Sequence, residues 1–130
     1  MPPPYRPLDT RLVEFAGQVL DLIDDLPRGT LAGARIDQLA RAATSIGANY
    51  EEATGAESRA DFIHKMQLAL KESREACYWL GVIARRNVVP RNCIEPTLQE
   101  SLEIRAMLTA AVITAKKNRN GNAERKTVNG

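Results

Sequence analysis

The sequence predicts an all-α protein, an up-down-up-down antiparallel four-helix bundle. Apolar residues recur in alternating steps of three and four along four successive segments, the spacing that lines one face of a helix. No segment alternates apolar and polar residues as a half-buried strand would. The joins between segments are short and carry proline or glycine, so sequence neighbours should pack antiparallel.

Residues 1–8 are expected to be an extended segment, and the first helix to run over about 9–26. Its seam is Leu12, Ala16, Val19, Ile23 and Leu26. Asp9 or Thr10 can cap its first turn, and Pro27 followed by Gly29 should stop it. The second helix, about 30–54, carries Ile36, Leu39, Ala43, Ile46, Tyr50 and Ala53. Small residues such as Ala40, Gly47 and Ala48 should let a neighbour approach closely. Gly55 is placed to take the left-handed conformation that ends a helix, and Ser58 to cap the next, with Asp61 at the capping-box position.

The third helix is the longest expected, about 58–86. Phe62, Met66, Ala69, Ser73, Ala76, Leu80 and Ile83 make one stripe, and Ile63, Leu70, Cys77 and Ala84 flank it with a second. Two adjacent stripes imply contact with more than one neighbour, including an oligomer face. The fourth helix is expected over about 92–116, with a stripe of Leu98, Ser101 or Leu102, Arg105, Leu108, Val112 and Ala115. Pro96 fits only if it lies in the first turn. Residues 117–130 read as a basic, disordered tail.

The formal net charge of +2 is unevenly placed. From Lys116 to the C-terminus the net is +4, whereas residues 9–115 carry −3. The excess of cations therefore sits at the ends, where it suits attraction to RNA, DNA or another polyanion. No apolar run reaches the roughly 18 to 20 residues that span a bilayer, and the N-terminus lacks the apolar core of a secretory signal. A cytoplasmic location is expected. Cys77 and Cys93 lack a CxxC spacing and read as reduced thiols.

Catalytic inventories fail one after another. A di-metal carboxylate bundle needs two Glu-x-x-His motifs, and this chain has a single histidine, His64. Nucleophilic catalysis lacks a base beside either cysteine. Glu51 and Glu52 are adjacent on a helix and point about 100° apart, so they do not face one substrate atom. The chain is expected to be no enzyme, with no metal and no cofactor.

Charged residues near the seam then require a structural reading. An arginine on the apolar stripe must snorkel or find a carboxylate. Arg105, or failing it Arg41, is expected to pair with Glu52 or Glu75 in a layer that fixes helix register. Tyr78 and Trp79 read as core or subunit-interface anchors. The candidate phosphate contacts are Arg85, Arg86 and Arg91 at one pole, joined by Arg28 and Arg35, together with Lys116, Lys117 and Arg119 at the start of the tail.

The run from residue 38 to 83 carries Arg41, Ala42, Ala43, Ser45, Ile46, Asn49 and Glu52, then Phe62, Ile63, Ala69, Leu70, Glu75 and Leu80. These residues resemble the bacterial four-helix bundle family named for the intervening sequences of 23S ribosomal RNA genes. Tyr50 replaces the isoleucine usual there, and Ala53 stands where glycine is common. The family is similar to the accessory proteins of diversity-generating retroelements, ring-like pentamers of four-helix bundles that bind nucleic acid and a reverse transcriptase. The resemblance implies a homo-oligomeric ring, a pentamer by preference, with RNA or DNA as partner. The expected function is a non-enzymatic, self-assembling scaffold that contacts nucleic acid through basic poles and tail. The alternative is a protein-protein interaction module without nucleic-acid binding.

Overall fold

The computed structural model describes residues 7–129, with side chains described through residue 120. It contains four helices, α1 (Leu8–Asp25), α2 (Gly33–Thr54), α3 (Arg59–Arg86) and α4 (Arg91–Asn129), and no strand among the described residues. α2 packs on α1 and α3, and α4 on α3 and α1. The expected extended segment 1–8 falls mostly outside the described residues, and Leu8 already opens α1.

α1 buries Leu12, Phe15, Val19 and Leu22, a clean three-four-three spacing. Ala16, Ile23 and Leu26, expected on the seam, are half-buried beside it. The bulkier Phe15 and Leu22 remove more apolar surface from water and so take the centre. Neither Asp9 nor Thr10 is the cap. Pro7 takes that place, its carbonyl accepting from Arg11 N–H at 3.1 Å, while Asp9 sits in the first turn, where a carboxylate favours the helix dipole. Leu26 is extended before Pro27, as a pre-proline residue prefers.

α2 begins later than expected because a turn intervenes. Thr30 donates to the Pro27 carbonyl from its N–H at 3.1 Å and its hydroxyl at 2.7 Å. Gly29 sits at φ 82 in the third position of that turn, a conformation that favours glycine. At the other end Gly55 is not left-handed. It lies at φ −98, ψ 12, with its N–H bonded back to Glu51 O at 3.3 Å, a right-handed end that needs no glycine. The left-handed C-cap belongs to α3, at Asn87 with φ 55.

Ser58 caps α3 as expected, its Oγ accepting from Asp61 N–H at 3.0 Å. Both stripes of α3 are buried between their ends, from Ile63 and Met66 through Leu70 and Cys77 to Leu80 and Ile83, while Phe62 and Ala84 are half-buried. This helix therefore contributes the largest set of buried residues to one core cluster, which also holds Phe15, Leu39, Ile46, Ile104 and Leu108.

α4 departs most from expectation. Its buried line is Ile94, Thr97, Ser101, Ile104, Leu108, Val112 and Ala115. After Ser101 the seam takes a step of three, so Ile104 is fully buried and Arg105, one residue on, is exposed. The rotation of about 100° per residue spares an arginine from the core. Pro96 lies beyond the first turn, inside the helix. Asn92 and Pro96 are both exposed, so water can serve the carbonyl that loses its i+4 donor. Finally, α4 does not stop near Lys116 but continues to Asn129. No proline follows Ala115, and Gly121 alone costs only about 1 kcal/mol in a helix interior. Ala115 is the last buried residue before an exposed Lys116–Asn120 stretch, so the helix projects past the core.

Candidate nucleic-acid interface

The turn before α2 and the join between α3 and α4 meet at one pole, where Arg86 donates a hydrogen bond to the Thr30 carbonyl. Arg28, Arg35, Arg85, Arg86 and Arg91 are all exposed there. Arg85 and Arg86 close α3, where the helix dipole favours cations. Part of this charge is already engaged, since Arg91 pairs with Glu95 at 3.7 Å and Arg86 holds the turn. Asp24 and Asp25 end α1 at the same pole. The patch is one of mixed charge.

Lys116, Lys117 and Arg119 lie toward the opposite end, exposed on α4. Lys116 and Arg119 line, with His64 and Gln67, an open cleft of about 500 Å³ between α3 and α4. A second cleft, about 490 Å³, continues along the same helix pair. It shares Gln67 and Lys116 and adds Lys71, Arg74 and Ile113. Among the described residues, no carboxylate lines either cleft. The eight candidate cations are thus divided between two ends, and Lys71 and Arg74, not singled out in the sequence, join the second group. Their three-residue spacing, continued from His64 and Gln67, was the signal available.

Several of the motif residues make contacts within the bundle. Arg41 bridges two carboxylates of α3, Glu72 at 3.1 Å and Glu75 at 3.2 Å. Its hydrogen bond to Glu72, then the charges of Glu72 and Glu75, hold the guanidinium pKa above its ordinary value. Glu52 instead pairs with Lys65 at 2.8 Å, and that hydrogen bond raises the lysine pKa. The pairs 52 with 65 and 41 with 72 and 75 ascend one helix while descending the other, so α2 and α3 run antiparallel. Asn49 donates to the Ser45 carbonyl at 2.9 Å, along its own helix. Phe62 is half-buried against the core, and Gly55 ends α2.

A further ion pair links α1 to α4. Arg11 of α1 forks onto Glu100 of α4, with Glu103 at 3.8 Å beyond, which ties the first helix to the last. The hydrogen bond to Glu100 outweighs desolvation and raises the Arg11 pKa. Arg11 stands beside the seam residue Leu12, the one hint in the sequence.

Trp79 packs half-buried on the core, and Tyr78 meets it edge-on at 5.2 Å while remaining 64% exposed. Cys77 is buried and Cys93 exposed, both free. No group of three or more His, Cys, Asp or Glu able to hold a metal occurs among the described residues. The surface offers two sets of cations, a groove and an exposed ring.

The model of the family described as 23S rRNA-intervening sequence protein matches residues 10–110. The chain belongs to this family. Among solved structures it is similar to a protein of unknown function from the S23 ribosomal protein family of Bacteroides thetaiotaomicron VPI-5482. The two share 36% identity and a TM-score of 0.73 over 82% of this chain and 98% of that one. None of the curated proteins matches the chain. The family match ends before Lys116, so the cationic end of α4 lies outside what this member of the 23S rRNA-intervening sequence family shares with the family model. No helix among the described residues is long and apolar enough to cross a membrane.

Proposed function

We propose that this protein is a non-enzymatic, cytoplasmic helical scaffold that self-assembles and contacts RNA or DNA through exposed cations. The observation that carries the nucleic-acid half is the separation of charge. A body of net −3 ends in a projecting helix that begins with Lys116, Lys117 and Arg119. Phosphate contacts by such cations release counterions, so affinity falls steeply with salt. Self-assembly is supported by α1, which leaves Val13 72% exposed and Leu20 42% exposed seven residues apart on one face. Isolated apolar residues on a surface are ordinary, but two on one helical face form the start of a contact patch. A closed ring, a pentamer by the resemblance to retroelement accessory proteins, would bury that face in every subunit.

The mixed charge of the Arg28–Arg91 pole favours a second reading, a protein-protein module without nucleic acid. Salt titration separates the two. Binding of labelled RNA or DNA that weakens along a steep log-log line supports the first reading. Absence of binding even at low salt removes its nucleic-acid half.

A further inference from the structure

The clefts between α3 and α4 are two lengths of one groove, since Gln67 and Lys116 line both. Along α3 its outward edge is His64, Gln67, Lys71 and Arg74, in steps of three and four. The next position in that line is Tyr78, a residue 64% exposed. On α4 the facing edge carries Arg119, Lys116 and Ile113, the last 50% exposed. Thr109 follows them, and one turn beyond it stands exposed Arg105, whose carbonyl accepts the Thr109 hydroxyl at 2.7 Å. From His64 to Tyr78 the edge spans about 21 Å at 1.5 Å per helical residue.

We propose that this groove seats a single strand of nucleic acid, with Lys71, Arg74, Lys116 and Arg119 on its phosphates and Tyr78 stacked on a base. Three features select that occupant. Among the described residues, the four exposed cations that line the groove have no carboxylate beside them in the lining, unlike the pole, and a phosphate chain complements that charge. Two packed helices stand about 8–10 Å apart, so the furrow between them admits one backbone and not a duplex. Of the two forms of nucleic acid, a single strand with unstacked bases is the one on which an exposed tyrosine ring can stack, as aromatic side chains do in positively charged grooves that bind single strands. The inference rests on the nucleic-acid reading above and places the contact in the groove instead of at the pole.

The test uses the full chain, a fluorescently labelled single-stranded RNA oligonucleotide and the same sequence as a duplex, read by anisotropy across a salt series. Circular dichroism and solution mass accompany each variant. Expected are preferential binding of the single strand and weaker binding by K71A/R74A and by K116A/R119A. Each double variant should flatten the slope of log K against log salt by about 1.4, at roughly 0.7 per lost phosphate contact. Tyr78→Ala should weaken binding at least about fivefold with the slope unchanged. If the groove variants bind as the parent does while R28A/R85A/R91A abolishes binding, the groove is wrong and the nucleic-acid reading survives. If the parent binds neither probe at low salt, both fall. If the groove variants are folded but lose oligomeric mass, the groove is a contact between copies of this chain and the proposal is overturned.

Discussion

Arg41 touches Glu72 and Glu75 at once, and the two carboxylates differ in what they would suffer without it. The Glu72 side chain is 15% exposed and Glu75 30%, and one Glu72 oxygen is buried without a hydrogen-bond partner among the described residues. Glu52, which holds Lys65, is 59% exposed. Water can therefore replace the Glu52 partner far better than it can serve Glu72 or Glu75. Glu75→Arg should lower the melting temperature clearly more than Glu52→Arg, and equal effects would refute the distinction. Glu100, 14% exposed, pins α1 to α4 through Arg11. Glu100→Gln is expected to cost about 1–2 kcal/mol by urea unfolding, since it weakens a largely dehydrated, charge-assisted pair. Ile104 and Arg105 make the same point about environment. Ile104→Ala should cost about 2–5 kcal/mol and Arg105→Ala no more than about 0.5 kcal/mol.

At the scale of the helices, the small residues of α2 set how near α1 can come. A Cβ placed on Gly47 would meet Leu12 Cβ at 3.5 Å, an ordinary contact. Gly47→Ala should therefore fit and stabilise by up to about 1 kcal/mol through helix propensity, a gain that thermal unfolding would show. Loss of stability there would mean that α1 sits closer than the structure has it. The helices themselves were legible because burial follows a three-four rhythm over long stretches. Ser58 was legible as a cap, being a hydroxyl residue just before an apolar-periodic run with an acid three residues on. Gly55 was not, since a glycine permits the left-handed end without requiring it, and the choice fell to hydrogen bonds from Gly55 and Ala56 back to Glu51 and Ala53. The register of α4 was misread because Ser101 followed by either Ile104 or Arg105 keeps the rhythm. Only packing against α1 and α3 decides between them. Its length was misread because a polar sequence can remain helical beyond the core.

For the whole molecule, the bundle was readable from the four periodic segments and the family from residues 38–83, whereas the division of charge was only partly so. The cations at the end of α4 were visible as a cluster. Their alignment with Lys71 and Arg74 depends on the antiparallel pairing of α3 and α4, which no linear scan displays. Arg86, one of the candidate phosphate contacts, also donates a hydrogen bond to the Thr30 carbonyl. Arg86→Ala should destabilise by about 1.5 kcal/mol, more than Arg85→Ala, because a charged hydrogen bond to a backbone carbonyl is lost. The central claim, an oligomeric scaffold that carries nucleic acid, is tested most directly by native mass spectrometry of the full chain with a single-stranded RNA oligonucleotide at low salt. The expected result is a closed oligomer of several chains with RNA bound, the RNA lost as salt rises while the oligomer persists. A single chain free of RNA would contradict it.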